Sequence, residues 1–289
     1  KQIKEDKFLS DSLTQVAGLV WLTDSTFLYT VQEKQTNRIY QIKHHTLFQD
    51  QKNDTVIFEE KNPLFGIGIS KSKSKKYIFL SSDGKEGNEV YFLPTNSDSL
   101  TFQLIEARAK NVHYGLYDEG DQFYIHSNRY REDFDLRVCQ IEDCGAKNWK
   151  PFYKPEKEGI LQDFLLFPKH VVFIESNRME ENLLVMNRAT KEIEEVEFDE
   201  DVYSVYLSYN DKKETDSVTF GYESMKTPST VYRMNLSNLE KRKVRQDTVK
   251  NYRASKWIKQ RRVFAKARDG EEIPITLLYW KYLKNNKNE

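Results

Sequence analysis

The side chains that could act as nucleophiles lack the local sequence that activates one. In α/β-type serine hydrolases the serine lies in Gly-x-Ser-x-Gly, because the glycines let a strand turn sharply into a helix and expose the hydroxyl. None of the 11 glycines belongs to such a pentapeptide. The segment Ser70-Lys-Ser-Lys-Ser-Lys-Lys76 has the Ser-x-x-Lys spacing of another nucleophile and base pair. It lies between two predicted strands, so we interpret it as a solvated turn whose charges oppose aggregation.

The histidines and the acidic clusters also predict no catalytic pair. None of the five histidines stands at a distinctive spacing from a carboxylate, so we interpret them as structural residues. A glycosidase needs two carboxylates held across a cleft, and the sequence does not single out such a pair. The residues concerned are His44, His45, His113, His126 and His170, and the acidic groups 156–158, 192–197 and 199–201.

The two cysteines, Cys139 and Cys144, have a spacing that could serve as half of a metal site. A structural zinc site needs four ligands, and the sequence has no second cysteine pair and no histidine near this one. We therefore predict two free thiols, which fit a reducing compartment. The sequence also lacks a phosphate-binding loop, a dinucleotide fingerprint and a calcium-binding loop. It thus predicts no catalytic residue, no cofactor and no metal ligand.

The composition excludes several classes of partner. The 289 residues include 45 Lys and Arg against 45 Asp and Glu, so no excess charge predicts binding to nucleic acid or to an anionic membrane. No apolar run approaches the roughly 20 residues that span a bilayer, and residues 1–7 lack the apolar core of a signal peptide. We therefore expect a soluble, cytoplasmic protein. The 17 Phe, 17 Tyr and 4 Trp lie mostly in short alternating runs, which favour strands.

The strand pattern repeats along the chain. Each unit contains four short apolar or alternating runs, and the units recur at roughly 40 to 50 residues. Their limits are 17–58, 65–106, 112–153, 161–198 and 202–245. Four strands per unit at this period are typical of a β-propeller, in which each small sheet buries its faces against neighbouring sheets. The fold class is therefore predicted as all-β, a β-propeller of about five four-stranded blades, with a β-sandwich as the main alternative.

The first strand of each unit is rich in small and apolar residues. This composition suits the innermost strand of a blade, where sheets crowd together and a small residue permits close backbone approach. The residues that fit this position are Gly18, Gly66, Gly68, Gly115 and Ser204. Ordinary strand glycines at bulges are an equally good interpretation.

Two later stretches differ in character. Residues 222–236 predict a strand, a turn at Thr227-Pro-Ser229 and a second strand with alternating side chains. Residues 263–267 and 273–279 flank Arg268-Asp-Gly270 and predict a β-hairpin. We expect the chain to leave one domain and to enter another between these two stretches.

The two stretches contain a distinctive set of residues: Tyr222, Ser224, Thr227-Pro-Ser-Thr-Val-Tyr232, Ala267-Arg-Asp-Gly270 and Ile273-Pro-Ile275. In these residues the sequence resembles the oligopeptidase B (protease II) branch of the prolyl oligopeptidase family of serine peptidases. Supporting matches are Val20-Trp21, Phe27-Leu-Tyr-Thr30, Glu59-Glu-Lys-Asn-Pro63, Ser70-Lys-Ser72, Tyr77-Ile-Phe-Leu-Ser-Ser82, Asp121-Gln-Phe-Tyr-Ile125, Phe198-Asp-Glu200 and Tyr203-Ser-Val205. Because the matches run in order through nearly the whole chain, they are together much more specific than any one of them.

The resemblance implies a seven-bladed propeller that caps an α/β-hydrolase domain with a Ser-Asp-His triad, which cuts short peptides after basic residues. It implies that residues 1–255 are an incomplete propeller and that 256–289 are the first strands of the hydrolase domain. No residue of this sequence matches the catalytic Ser, Asp or His, so the chain is expected to be inactive alone. A separately encoded hydrolase half is a possible partner.

A free-standing propeller that binds another protein is the alternative. It predicts a compact, cooperative monomer, whereas an incomplete ring would leave apolar blade faces and strand edges that tend to associate.

Overall fold

Short antiparallel strands make up nearly all of the regular structure. The computed structural model describes residues 12–156, 159–210, 215–250 and 257–281. The described residues form 22 strands and three single-turn 3₁₀ helices, Gln51–Asn53, Ile141–Asp143 and Ala146–Asn148. They belong to two compact units, 1–153 and 154–289.

The first unit contains three four-stranded sheets, each with its strands in chain order. The first blade comprises β1 (Val16–Trp21), β2 (Thr26–Gln32), β3 (Ile39–Thr46) and β4 (Thr55–Glu59). The second comprises β5 (Phe65–Lys71), β6 (Tyr77–Gly84), β7 (Gly87–Pro94) and β8 (Gln103–Glu106). The third comprises β9 (Tyr114–Glu119), β10 (Gln122–Ser127), β11 (Asp135–Gln140) and β12 (Lys150–Tyr153).

The second unit contains two such sheets and one hairpin. The fourth blade comprises β13 (Gly159–Leu166), β14 (His170–Asn177), β15 (Glu180–Asn187) and β16 (Ile193–Glu195). The fifth comprises β17 (Ser204–Leu207), β18 (Ser217–Glu223), β19 (Thr230–Asn235) and β20 (Lys241–Gln246). The hairpin comprises β21 (Ile258–Lys266) and β22 (Glu272–Trp280).

Strand alternation explains how the blades of the first unit hold one another. Successive side chains of a strand point to opposite faces of the sheet. On β6, Ile78 and Leu80 pack into a core shared with the first blade, whereas Tyr77 and Phe79 pack against a core shared with the third. The second blade therefore buries both of its faces, each against one neighbour.

The predicted β-propeller of four-stranded blades is confirmed, because each predicted unit corresponds to one observed sheet. The predicted hairpin is observed as well. The proposed domain boundary between 255 and 256 stays a prediction. No helix within the described ranges is long and apolar enough to cross a membrane.

The prediction of two free thiols is wrong, because Cys139 and Cys144 form a disulfide. The 3₁₀ turn at Ile141–Asp143 follows β11 and folds the chain back, so that the two Cα atoms lie 5.2 Å apart. Both residues are buried in the core between the second and third blades. The pairing removes the thiol argument for a reducing compartment, and a cytoplasmic location stays a prediction.

Steric crowding does not explain the glycines of the first strands, because each of these positions has room for a Cβ atom. A Cβ at Gly18, Gly66 or Gly68 would lie 3.6–3.7 Å from its nearest neighbour, which is an ordinary contact. Gly18 lies at a bulge in the pairing of β1 with β2, as the alternative interpretation held. At Gly115 the nearest atom would be 3.4 Å away, on the Tyr117 ring.

The close backbone approach occurs instead at Gly87, the first residue of β7. Its φ is +143°, and a Cβ there would lie 2.5 Å from the Ala109 carbonyl oxygen and 2.9 Å from that of Val112. These carbonyls belong to the connection between the second and third blades. We expect Gly87→Ala to lower the free energy of unfolding by about 2 kcal/mol, since a backbone obstacle cannot move aside as a side chain can.

The urea midpoint of unfolding measures this effect, with Gly66→Ala, where a Cβ would make only an ordinary contact, as the matched control. Equal midpoints for the two variants would contradict the role given to Gly87.

Candidate functional site

The Ser70–Lys76 turn is only partly solvated. Its lysines are exposed, but Ser72 is 5% exposed. The Ser72 hydroxyl donates to Asp118 Oδ2 at 3.2 Å and accepts from the Tyr77 backbone N–H. This serine therefore joins the second blade to the third, and its burial argues against a nucleophilic role.

A buried pair that the sequence analysis missed lies in the first blade. His45 Nδ1 is 2.8 Å from Asp54 Oδ1, and the two side chains are 0% and 3% exposed. Tyr29 donates its hydroxyl to Asp54 Oδ2 at 2.8 Å, and burial raises the pKa of Tyr29 to about 12. The rings of Phe27 and Tyr29 flank the imidazole. Because the pair is sealed from solvent, it supports the structural interpretation of His45.

Among the described residues of the acidic groups 192–197 and 199–201, Glu200 gathers several partners, whereas Glu192, Glu194, Glu195 and Glu197 are exposed. The group 156–158 lies partly outside the described residues. Glu200 accepts hydrogen bonds from the hydroxyls of Ser224 and Thr227, the latter at 2.6 Å. The Ser224 oxygen in turn accepts from the backbone N–H groups of Lys226 and Thr227 at 3.0 and 2.9 Å. These bonds shape the turn predicted before β19.

The same carboxylate fastens the hairpin to the fifth blade. Gln260, on β21, is 8% exposed. Its Nε2 donates to Glu200 Oε2 and to the Val202 carbonyl oxygen, both at 2.7 Å. Two part-buried hydrogen bonds from one side chain, one of them to a charged acceptor, therefore connect the hairpin to the blade.

A second joint connects the hairpin to the fourth blade. Arg262 Nη2 donates to the Met179 carbonyl oxygen at 3.1 Å. Arg178 and Met179 form the two-residue turn between β14 and β15, and both have positive φ, as a type I′ hairpin turn requires. Arg178 also pairs with Glu272 at 3.1 Å, but both side chains are more than half exposed, so this pair contributes little.

Both joints lie at one end of the blades. In an antiparallel sheet the turn between the second and third strands shares an end with the connection that leaves the fourth strand. The hairpin contacts the turn between β14 and β15, the second and third strands of the fourth blade. It also contacts the connection that leaves the fourth blade and leads to β17. We call this the hairpin end; the opposite end carries the turns between strands one and two and between strands three and four.

One face of the hairpin exposes a row of apolar side chains beside Lys259 and Arg261. Val263 pairs with Ile275, Ala265 with Ile273 and Arg261 with Leu277, so these side chains share the face opposite to Gln260. Ile273, Ile275 and Leu277 are 52%, 40% and 43% exposed. An exposed apolar face of this kind is typical of an interaction surface.

An ionic cluster joins the first blade to the second. Arg108 Nη2 lies 2.6 Å from Glu60 Oε2 and also contacts Glu89. Ser82 donates to Glu60 Oε2 at 2.5 Å, and the guanidinium lies 3.8 Å from the centre of the Phe65 ring. The two carboxylates are 7% and 11% exposed, so a single arginine serves two buried charges.

The pKa values of both carboxyl groups are held below their usual range. Burial alone would raise the pKa of Glu60, but hydrogen bonds from Ser82 and Arg108 outweigh it. Burial likewise opposes the lowering of the Glu89 pKa, which Arg108 and Tyr91 bring about by donating hydrogen bonds. The charged groups of the cluster pair with one another, so we interpret the cluster as a structural contact between the two blades. Within the described ranges, no group of three or more His, Cys, Asp or Glu side chains is arranged to hold a metal ion.

The family model described as "Prolyl oligopeptidase, N-terminal beta-propeller domain" matches residues 1–247. The chain belongs to the prolyl oligopeptidase family. Within this family, the dipeptidyl aminopeptidase BI of Pseudoxanthomonas mexicana is 30% identical over 97% of this chain and 39% of its own length. Protease 2 of Moraxella lacunata is 28% identical over 96% of this chain and 40% of its own. The chain spans about 40% of the length of these relatives.

Solved structures of the prolyl oligopeptidase family agree with the fold. Oligopeptidase B from Leishmania major superposes with a TM-score of 0.83 at 19% identity, over 96% of this chain and 40% of that one. Oligopeptidase B from Trypanosoma brucei gives 0.80 at 21% identity, over 92% and 39%. The predicted family resemblance is confirmed.

The Arg108 cluster generates a pH-dependent prediction. Because the carboxyl pKa values are lower in the folded chain than their ordinary 4.5, the stabilisation is complete above that pH and is lost as the pH falls through the folded-state values. Arg108→Met leaves two buried carboxylates without a cation and should cost about 3 kcal/mol at neutral pH. This deficit should shrink as the pH falls towards about 4.5 and below it, because burial without the guanidinium raises the pKa of both carboxyl groups in the variant and protonation removes the uncompensated charges.

Urea unfolding at several pH values measures the deficit. Lys52→Met, which removes an exposed pair with Asp50, is the control and should leave the midpoint unchanged. A deficit that is constant with pH, or no larger than that of the control, would contradict the assignment.

Proposed function

We propose that this chain is the propeller part of an oligopeptidase B-like serine peptidase that cleaves short peptides after basic residues. Residues 1–255 form the propeller, and residues 256–289 begin the α/β-hydrolase domain. The blades limit access to the active site, so that short, flexible peptides enter and folded proteins do not. The catalytic Ser, Asp and His belong to the hydrolase domain, supplied by further chain or by a separate one.

The observation that carries this proposal is the attachment of the hairpin. β21 and β22 follow five blades in the chain, and buried Gln260 fastens them at one end of the fifth. Their outer apolar face is left for further protein to cover. The printed names of the relatives, a dipeptidyl aminopeptidase and Protease 2, support a peptidase. The preference for basic residues rests on the resemblance to oligopeptidase B.

A free-standing scaffold that binds a protein partner has less support. Such a protein would gain nothing from a hairpin with Ile273, Ile275 and Leu277 exposed on one face, because a face of this kind promotes association.

A peptidase assay of two proteins tests the proposal. The 289-residue chain alone should release no product from a fluorogenic peptide with arginine before the scissile bond. The same propeller joined to its hydrolase domain should cleave this peptide and should spare the matched peptide with alanine in place of arginine. It should also spare the arginine sequence when that sequence lies within a folded protein.

Three results of this assay would contradict different parts of the proposal. Turnover by the 289-residue chain that a serine-directed inhibitor abolishes would place the catalytic groups within these residues. Equal cleavage of the arginine and alanine peptides would remove the basic specificity. Cleavage of the folded protein at the rate of the free peptide would remove the size filter.

A further inference from the structure

A cleft lies between the fourth and fifth blades at the end opposite to the hairpin. The turns that follow β13, β15 and β19 enclose a volume of about 530 Å³. The side chains of His170, Lys169, Arg188, Glu194, Val185 and Leu236 line it. β14 separates this cleft from the turn that contacts the hairpin, and its eight residues span roughly 23 Å at about 3.3 Å per residue.

His170 is the unusual residue of this cleft. It is 6% exposed, and the described residues offer its ring nitrogens no hydrogen-bond partner. The ring nitrogens are not among the fully buried side-chain atoms without a partner in the described residues, so they remain accessible from the cleft. An imidazole placed in this way can donate a hydrogen bond to a ligand that enters the cleft.

A cleft also occurs at the equivalent position of the second blade. Comparing the two clefts distinguishes features of the blade architecture from features of the fourth-blade sequence. In the second blade, Tyr77 pairs with Pro94 as His170 pairs with Asn187 in the fourth. Tyr77 lines a cleft of about 630 Å³ towards the third blade. Its ring packs against aromatic rings, including that of Phe123. The cleft is thus a property of the architecture, whereas the unpartnered imidazole is a property of the fourth blade.

The lining combines positive charge at the mouth with an apolar floor. The Arg188 guanidinium is positioned by a hydrogen bond from Nη1 to the Phe167 carbonyl oxygen at 3.1 Å, and Lys169 is exposed beside it. Glu194 is the only acidic residue among the lining residues. Val185 and Leu236 are 4% and 3% exposed and form the floor.

The imidazole is neutral at neutral pH. Burial lowers the pKa of His170, and Lys169 acts in the same direction, whereas Asp216 and Glu194 oppose them. A neutral imidazole has one N–H donor. One donor and two cations, against the single carboxylate of Glu194, leave a net positive charge above the apolar floor, which suits a ligand with one carboxylate attached to an apolar group.

We propose that this cleft binds the C-terminal residue of a short peptide. Lys169 and Arg188 hold the carboxylate, His170 donates a hydrogen bond to it, and the terminal side chain packs against Val185 and Leu236. This site would belong to the propeller itself, so it does not depend on the hydrolase domain or on the peptidase activity proposed above.

Nuclear magnetic resonance of the histidine rings tests the proposal on the 289-residue chain. The probe is acetyl-Ala-Ala-Leu with a free carboxylate, compared with the same peptide as its amide and with inorganic phosphate. The free acid should shift the His170 signals saturably and raise the pKa of His170, because a bound anion favours the protonated ring. The amide should bind about tenfold more weakly or worse, since it loses charge-assisted hydrogen bonds.

Variants locate the site. Arg188→Gln should weaken binding of the free acid about tenfold, and His170→Gln serves to assign the ring signals. Lys75→Gln, in the equivalent cleft of the second blade, should leave the affinity unchanged. The comparison of acid with amide on the unaltered chain needs no variant, so it stands even where a substitution disturbs folding.

Three results would overturn the proposal. One is the absence of a saturable shift up to about 10 mM peptide. Another is equal binding of acid and amide. The third is phosphate binding as tightly as the peptide, which would make this a general anion site.

Discussion

A four-stranded sheet cannot bury either of its faces alone, and the rest of the structure depends on this constraint. Alternation along β6 places Ile78 and Leu80 on one face and Tyr77 and Phe79 on the other, each in a core shared with a different neighbour. Because apolar side chains fill the space between the sheets, polar groups that join two blades must lie at the ends of the sheets or have all of their charges paired with one another. The Arg108 cluster meets this condition with one guanidinium between two buried carboxylates.

The two ends of the blades differ in what they offer. In the second unit, the hairpin end carries Glu200, whose carboxylate organises the turn before β19 and accepts a hydrogen bond from Gln260. The opposite end carries an open cleft between the fourth and fifth blades, which the His170 imidazole lines. The antiparallel order of the strands therefore places the hairpin and the open cleft at opposite ends of the fourth and fifth blades.

Local patterns predicted the fold well, because strand alternation and turn residues act over a few positions. The five blades and the hairpin around Arg268-Asp-Gly270 were all predicted in this way. The pairings that depend on tertiary structure were not. Arg108 and Glu60 are 48 residues apart, and Gln260 and Glu200 are 60 apart. The Cys139–Cys144 disulfide was not predicted, because it depends on the 3₁₀ turn at Ile141–Asp143 and no sequence motif indicated that turn.

Hydrogen–deuterium exchange of the hairpin tests most directly whether it is fastened to the blades. Gln260→Ala removes both hydrogen bonds to the fifth blade, whereas Arg261→Ala changes the neighbouring exposed residue on the opposite face. We predict that amides of β21 and β22 exchange about tenfold faster in Gln260→Ala, while those of β18 and β19 keep their rates and Arg261→Ala matches the unaltered chain. Unchanged exchange of the hairpin in Gln260→Ala would contradict the account.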